Sequence, residues 1–444
     1  MKKKKAAIIL GGGISGLSLA FYLRKKGYTK EICILEKSTR VGGWLESQTE
    51  QGFFFEKGPR TFRVSRSESL LALIHDLHLE KELLFSSEGA SSKYLFYNQK
   101  LQKVPSNPFS FLTSKLTRPL LFSLFREWKI PKNIEDESIH AFISRRFTPE
   151  VADSLFDAIT TGIYGSDSKT LSISSCFPIL KEWEREYGSI TKGLFLHKKK
   201  KSVYPYKPSH LFTLKSGVGS LVTALEKEIK AEMITGQEGK HLTYKDGRFL
   251  VETESASYEA EDLFSAVPAP ALAKMLHKDH KELSYLLGSI PYTNLSCVHF
   301  GYRKKVLPVT GFGYLVPSKE KEDILGAIFD SEVFSQQSSS EKQTRLTLML
   351  PDRGLPDEKL YQLSVASLHK HLAISDSPDY TSLTQCIGAI PKYLVGHQKK
   401  ISDIQKIRTK ELPKLQILGN YLSGASVNDS IAVARKVAEQ GLLR

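Results

Sequence analysis

The stretch from residue 6 to residue 43 constrains this chain most: an apolar run, Ala6-Ala7-Ile8-Ile9-Leu10, enters Gly11-x-Gly13-x-x-Gly16, followed by a helical pattern and a second apolar run ending at Glu36. Strand, glycine turn, helix, strand and acid in that order form a dinucleotide-binding βαβ unit. Gly11 permits the tight turn out of the first strand, Gly13 lets the backbone approach a pyrophosphate, and Gly16 lets helix and strand pack closely. The phosphates are then expected on the free N–H groups of Gly12, Ile14 and Ser15 at the helix start. Ser15 to Lys26 carries Leu17, Ala20, Phe21 and Leu23 on one face and is closed by Gly27. Glu36 follows Gly16 by about 20 residues, where a carboxylate takes both hydroxyls of an adenosine ribose. A glycine fingerprint also occurs in βα turns that bind nothing; the flanking strand, helix and acid separate the two readings here.

The start Met1-Lys-Lys-Lys-Lys5 ahead of an apolar stretch also has the outline of a secretory signal. The glycine spacing, the lack of a small-x-small cleavage site and the continuation to Glu36 argue against that. The lysines are expected to form a solvated tail.

Beyond Glu36 the chain reads Lys37-Ser38-Thr39-Arg40-Val41-Gly42-Gly43-Trp44, and later Phe55-Glu56-Lys57-Gly58-Pro59-Arg60-Thr61. A nicotinamide dehydrogenase needs neither piece. A flavin does: paired glycines let backbone and an Arg approach the middle of an extended FAD, and Gly58-Pro59 makes a turn beneath the ring system. Together, G-x-G-x-x-G, E-x-x-x-R-x-G-G and F-E-K-G-P resemble the flavin-containing amine oxidase superfamily and, within it, the protoporphyrinogen oxidase branch. Gly311-Phe-Gly-Tyr-Leu-Val-Pro-Ser318, Thr161-Gly-Ile-Tyr-Gly165, Leu171 to Pro178 and Val427-Asn-Asp-Ser-Ile431 extend the resemblance over essentially the whole chain.

The resemblance implies an α/β fold: a Rossmann-like FAD-binding domain of the glutathione-reductase type, discontinuous, with a mixed-sheet substrate domain and a helical insertion. The FAD-binding parts are expected at 1–85, 206–268 and 391–444. A helical domain with potential membrane contact is expected at 86–205, and the substrate domain at 269–390. The resemblance further implies oxidation of protoporphyrinogen IX by hydride transfer to FAD, with dioxygen as acceptor and hydrogen peroxide as product. Coproporphyrinogen III oxidation by the same mechanism is the nearest alternative. An amine oxidase or phytoene-desaturase activity, or a non-catalytic binding protein on this fold, stands further off.

Periodicity fills in the elements. A helix is expected around Leu70 to Leu79, a hairpin from Lys93 to Pro105, and a helical region over 109–196. Within that region Leu112, Leu116, Leu120, Leu124 and Trp128 recur every four residues, and Pro119 opens a second helix. Lys115, Arg118 and Arg126 flank this face. Such a segment can lie on an anionic membrane surface, or it can be the packed face of a helical domain; the sequence leaves both open. Strands are expected at 294–302, 313–316, 325–329 and 346–350, a buried strand at 415–420, and a helix over 427–439.

With 444 residues and 41% hydrophobic content, the chain can bury a core for two or three domains. No apolar run reaches the roughly 20 residues that span a bilayer. Cys33, Cys176, Cys297 and Cys386 are scattered and form no metal-ligand spacing, as expected of buried thiols in a cytoplasmic protein. A formal net charge of +15 favours anionic partners, yet no nucleic-acid-binding motif is present, so nucleic acid is excluded as a partner. Part of the excess lies in Lys2 to Lys5 and Lys198 to Lys201, read as solvated lysines. A porphyrinogen, dioxygen and a peripheral membrane contact on an inner face remain the expected partners, and the oligomeric state is open.

No metal cluster or Ser-His-Asp order appears, so the chemistry belongs to the flavin and the protein supplies position and electrostatics. By resemblance, Lys93 stands where relatives often carry an Arg that pairs with a propionate, which keeps the charge and loses the fork. Arg60 is the one candidate catalytic residue, close to the flavin face, with a structural ion pair as its other reading. Phe334 matches a ring-contacting aromatic, Gly162 a stretch near the macrocycle, and Gly239 a Val whose backbone holds adenine. Asn420, Val427 and Asn428 are expected around the flavin, the helix start facing its pyrimidine.

Overall fold

A computed structural model describes residues 2–114, 116–197 and 203–441. Lys115, the run Lys198 to Lys201 and the side chain of Arg118 lie outside the described residues. The apolar run at the start of the chain forms the centre of a five-stranded parallel sheet, in the order Glu232–Ile234, Ile32–Leu35, Ala7–Leu10, Asp262–Ser265 and Leu415–Ile417. Its strands therefore come from three distant stretches. Both faces are covered, so nearly every strand residue is apolar. Ala7, Ile9, Ile32 and Ile34 pack with the helices Ile14–Lys25, Gly219–Ile229 and Val427–Gly441. Their neighbours Ile8, Leu10, Cys33 and Leu35 face the helices Ala269–Leu276 and Lys281–Gly288 and a small sheet on the other side.

That small sheet corrects the expected lysine tail. Lys2–Lys4 is an exposed edge strand, parallel to Ser257–Ala260, and Lys5 bridges Glu31 at 2.7 Å and Glu232 at 2.5 Å. Glu31 and Glu232 flank adjacent strands, so the charge that looked idle in sequence ties the strand edges together.

A mixed seven-stranded sheet forms the second layer, ordered Tyr380–Pro391, Tyr292–Tyr302, Thr344–Pro351, Gly326–Ile328, Gly313–Leu315, Lys93–Tyr97 and Lys100–Lys103. The expected hairpin thus joins this sheet, parallel to Gly313–Leu315. One face is apolar: Val298, Phe300, Tyr302, Leu346, Leu348 and Leu350 share a core with Leu360, Leu368 and Leu372 of the helix Asp357–Leu372. Strand alternation puts Cys297, His299, Arg345 and Thr347 on the opposite face. That face is buried too.

The helical region is pinned by a buried ion network. Arg146, fully buried, donates to Glu184 Oε1 from Nη2 at 2.5 Å and to Glu127 Oε1 from Nη1 at 3.2 Å. Ser189, Thr191 and the Ile190 amide satisfy the remaining Glu127 oxygens. Leu120 and Leu124 pack on the apolar cluster of this domain, whereas Phe109 and Leu112 are 77% and 62% exposed. The packed-face reading of 109–130 therefore holds for Leu120 and Leu124, while Phe109 and Leu112 lie on the surface. Among the described residues no helix is long and apolar enough to cross a membrane.

Candidate active site

Helix Ile14–Lys25 starts at Gly13 without a side-chain cap, and its first internally bonded amide is that of Leu17, to the Gly13 carbonyl. The amides of Ile14, Ser15 and Gly16 are thus free to receive an anion. A Cβ at Gly16 would lie 2.0 Å from the Gly11 carbonyl oxygen, which is why helix and strand approach so closely only with glycine there. The two glycine motifs lie side by side: a Cβ at Gly13 would meet Gly43 Cα at 3.9 Å, and one at Gly43 would meet Gly13 Cα at 3.2 Å. Gly42 joins them, its amide donating to the Gly12 carbonyl at 2.7 Å.

Glu36 sits beside the glycine turn. Its Oε2 accepts from the Gly12 amide at 2.7 Å and its Oε1 from the Ser38 amide at 2.8 Å. Two amides fix the carboxylate and leave lone pairs for ribose hydroxyls. The Gln237 amide donates to the Glu36 carbonyl and the Gly236 amide to that of Ser38, bringing the loop that holds Gly239 to the same place. A Cβ on Gly239 would come within 2.5 Å of Met275 Cε. Met275 fills the volume that a side chain at this position would occupy. Lys37 is exposed.

Arg40 turns back on its own loop: it donates to the carbonyls of Val41 at 2.9 Å and Gly43 at 2.6 Å and pairs with Glu46 at 2.5 Å. It thereby shapes the Gly42-Gly43 wall. Trp44 is 37% exposed beside it. Val427–Gly441 is capped by its own residues, Ser426 Oγ donating to Asp429 Oδ2 at 2.6 Å and accepting from the Asp429 amide at 3.1 Å. The Asn428 side-chain oxygen accepts from the Ser69 and Leu70 amides and caps the helix Glu68–Asp76. What this helix offers a cofactor is its first-turn backbone, at Val427 and Asn428. Asn420 Nδ2 donates to the Ala389 carbonyl at 3.2 Å, tying this region to the second sheet.

The polar face of the second sheet closes over Phe53 to Arg60. Arg60 Nη1 pairs with Asp330 Oδ1 at 3.1 Å and donates to Thr347 Oγ1 at 2.6 Å, and Nη2 donates to the Glu56 carbonyl at 3.0 Å. Thr347 has one hydrogen, and an ionised Asp330 can only accept, so Thr347 donates to Asp330 Oδ2 at 2.7 Å. It must then accept from His299 Nδ1 at 2.9 Å. His299 therefore carries its proton on Nδ1, and Nε2 accepts from Thr384 at 3.2 Å. Burial, reinforced by Arg60, pushes the His299 pKa well down, so the ring is neutral. Burial works against the Arg60 charge as well, but Asp330 outweighs it and the guanidinium stays protonated. The ion-pair reading of Arg60 is thus realised. The same geometry fixes an oriented ion pair at the junction, with the Arg60 charge offset by Asp330.

Thr61 and Phe334 line a small cavity with Arg60, Glu56, Asp330 and Arg345. Phe334 is otherwise a buried core residue, packed with Leu84, Ala90 and Val333. Gly58 and Pro59 form the turn before Arg60, with Gly58 pressed against the Trp44 carbonyl. Gly162 packs on Leu315 of the second sheet. Lys93 opens the hairpin strand, and its ammonium is held down by burial and then by Arg63. Arg63 is a second cation that the sequence reading passed over, because nothing in its neighbourhood marks it.

A dinucleotide domain assembled from three stretches, with a second sheet closing over it, is the arrangement of a flavin-dependent oxidoreductase. Residues 14–440 match the family described as flavin containing amine oxidoreductase, and the chain belongs to it. Full-length relatives include the protoporphyrinogen oxidase of Bos taurus, 31% identical with 99% of this chain and 98% of that one covered. The coproporphyrinogen III oxidase of Bacillus subtilis is 25% identical, covering 99% and 98%. The crystal structure of a candidate protoporphyrinogen oxidase from Exiguobacterium sp. shares the fold, with a TM-score of 0.85, 20% identity and coverage of 100% and 99%.

Proposed function

We propose that the protein oxidises protoporphyrinogen IX to protoporphyrin IX with FAD as cofactor and dioxygen as acceptor. The observation that carries this reading is the likeness to the Bos taurus protoporphyrinogen oxidase over 99% of the chain. FAD, when bound, would supply the two-electron chemistry by which the macrocycle is dehydrogenated and dioxygen is reduced to hydrogen peroxide.

The chain's own residues bind and orient. The amides of Ile14, Ser15 and Gly16 would receive the diphosphate beside Gly42 and Gly43, the Gly12 amide being held by Glu36 instead; Glu36 would take the ribose hydroxyls and the Gly239 backbone the adenine. The first turn of Val427–Gly441 would face the pyrimidine side, where its dipole favours negative charge. Arg60 cannot serve as a base, since it stays protonated; its work is electrostatic. Lys93 and Arg63 would receive the propionates.

Coproporphyrinogen III is the second reading. It carries two more carboxylates, and the proximity of Arg63 to Lys93 gives the site a second cation for them. The reading also places the protein in the cytoplasm, docked peripherally on an anionic membrane through Phe109, Leu112, Leu194, Phe195 and Leu196, which are between 58% and 80% exposed.

The test is porphyrin fluorescence after mixing FAD-loaded protein with either porphyrinogen in air, corrected for spontaneous oxidation. Acceleration with protoporphyrinogen is expected, and the ratio of the two rates chooses between substrates. No acceleration with either, despite bound FAD, would move the assignment to an amine oxidase or desaturase activity.

A further inference from the structure

All four cysteines are buried and free. Cys33 lies in the parallel sheet and Cys176 in the helical region, and burial raises each thiol to about 12. Cys297 and Cys386 are different. They lie on the adjacent strands Tyr292–Tyr302 and Tyr380–Pro391, where Cys297 faces Thr384 and Leu295 faces Cys386. The two thiols therefore share one sheet face, one diagonal step apart. The sulfurs are close enough to interact electrostatically, and Cys386 Sγ reaches the Thr384 carbonyl at 3.9 Å and the Lys57 carbonyl at 4.0 Å.

Their environment divides the labour. The neighbouring Cys386 lowers the Cys297 pKa, and the Arg60 guanidinium adds to this against the cost of burial. Cys297 in turn, with burial, raises that of Cys386. The sulfur beside Arg60 is thus the one favoured as thiolate, and Cys386 the neighbour placed to resolve it. The strand also has slack here: pairing jumps from Leu295 with Cys386 to Thr293 with Ile390, and Gly388 within the bulge has φ 62°.

We propose that Cys297 and Cys386 form a peroxide-responsive thiol pair that closes to an intramolecular disulfide beside the flavin-facing segment Lys57 to Arg60. The proposal rests on the porphyrinogen oxidase reading only for the source of the peroxide. The Cys297 thiolate attacks one peroxide oxygen, the O–O bond breaks, and a sulfenic acid forms as hydroxide leaves and takes up a proton as water. Cys386 then attacks the Cys297 sulfur, forming the S–S bond, while its proton and the sulfenic hydroxyl leave as a second water. Two thiols are oxidised and one hydrogen peroxide is reduced to two waters.

The experiment treats FAD-loaded protein with reagent hydrogen peroxide, without porphyrinogen, then denatures, alkylates and maps the peptides. The expected result is loss of two of the four free thiols, with the Cys297 and Cys386 peptides joined, lighter by two hydrogens and separated by dithiothreitol. Cys33 and Cys176 stay alkylatable. In Cys386→Ser, Cys297 should stop at the sulfenic acid and be captured by dimedone, which leaves the wild type unlabelled. Full alkylation of all four thiols after peroxide, or separate sulfinic oxidation of Cys297 and Cys386 in the wild type, would overturn the proposal. Closure with reagent peroxide but not during exposure to porphyrinogen in air would uphold the thiol pair and count against the oxidase reading.

Discussion

Arg60 and Asp330 are 270 residues apart in the chain and 3.1 Å apart in the fold, and their side chains are only 10% and 12% exposed. The pair joins the flavin-domain segment Phe53 to Arg60 to the polar face of the second sheet. Removing one partner leaves an uncompensated charge in a dry junction, at a cost of about 3 kcal/mol or more. Asp330→Ala should therefore lower stability by roughly that amount in urea titration. Adding Arg60→Met to that variant should recover part of it. Equal stability of Asp330→Ala and wild type would show that the pair is solvated.

Glu56 lies next to this junction, and burial raises its pKa from 4.5 to about 7 against the bonds from the Val218 amide and the Ser47 hydroxyl. A carboxyl raised on folding binds more protons in the folded state, so its contribution is full below pH 4.5 and is lost as pH rises to about 7. The loss amounts to about 3 kcal/mol. Glu56→Gln removes it. Thermal melts should show the variant gaining on wild type between pH 4.5 and 7 and holding that gain above; a pH-independent difference would sink the assignment.

Gly239 and Met275 compete for one volume, with Met275 Cε 2.5 Å from where a Cβ would sit. Gly239→Val should cost about 1–3 kcal/mol by overpacking and weaken FAD retention on gel filtration. Adding Met275→Ala should restore both. Tolerance of the single change would mean that Met275 moves freely.

Lys93 tests recognition of substrate carboxylates. A hydrogen bond to a charged group is worth about 1.5–3 kcal/mol, so Lys93→Ala should raise the porphyrinogen KM roughly tenfold or more, with kcat and FAD content little changed. Lys93→Arg should lower KM by supplying the fork. A fall in kcat alone would place Lys93 away from the carboxylates.

The exposed apolar residues of the helical region predict surface binding. The protein should float with anionic liposomes at low salt and less at high salt, and Phe109→Ser with Phe195→Ser should abolish flotation. A soluble distribution of wild type under both conditions would remove the membrane contact.

Much of the fold was legible because its signals are local. Ile8, Leu10, Cys33 and Leu35 alternate with Ile9, Ile32 and Ile34 between two apolar layers, and a continuous apolar strand beside Gly11 to Gly16 can be read without knowing what covers it. The second sheet was legible as strands but not as a surface. His299, Arg345 and Thr347 alternate with apolar neighbours, which in a sequence looks like a solvated face, yet they are 1% exposed or less.

The candidate site divides in the same way. Glu36 holds the Gly12 and Ser38 amides from within the same βαβ unit, and its role follows from spacing. The Asn428 side chain meets Ser69 and Leu70, 359 and 358 residues earlier, a partnership that no local signal announces. Nothing in the sequence around Lys2 to Lys5 announces Glu31, Glu232 and Glu259 as ion-pair partners either.

By itself, then, the sequence determined the dinucleotide unit, the order of strands and helices and the family, since these depend on glycine spacing, hydrophobic period and short motifs. Only the tertiary structure decided that Arg60 is paired with Asp330, that Met275 stands in for a side chain at Gly239, and that Cys297 meets Cys386. Those contacts join residues with no periodic relation along the chain. Their energies exist only once two sheets close on each other and exclude the water that would otherwise satisfy each group alone.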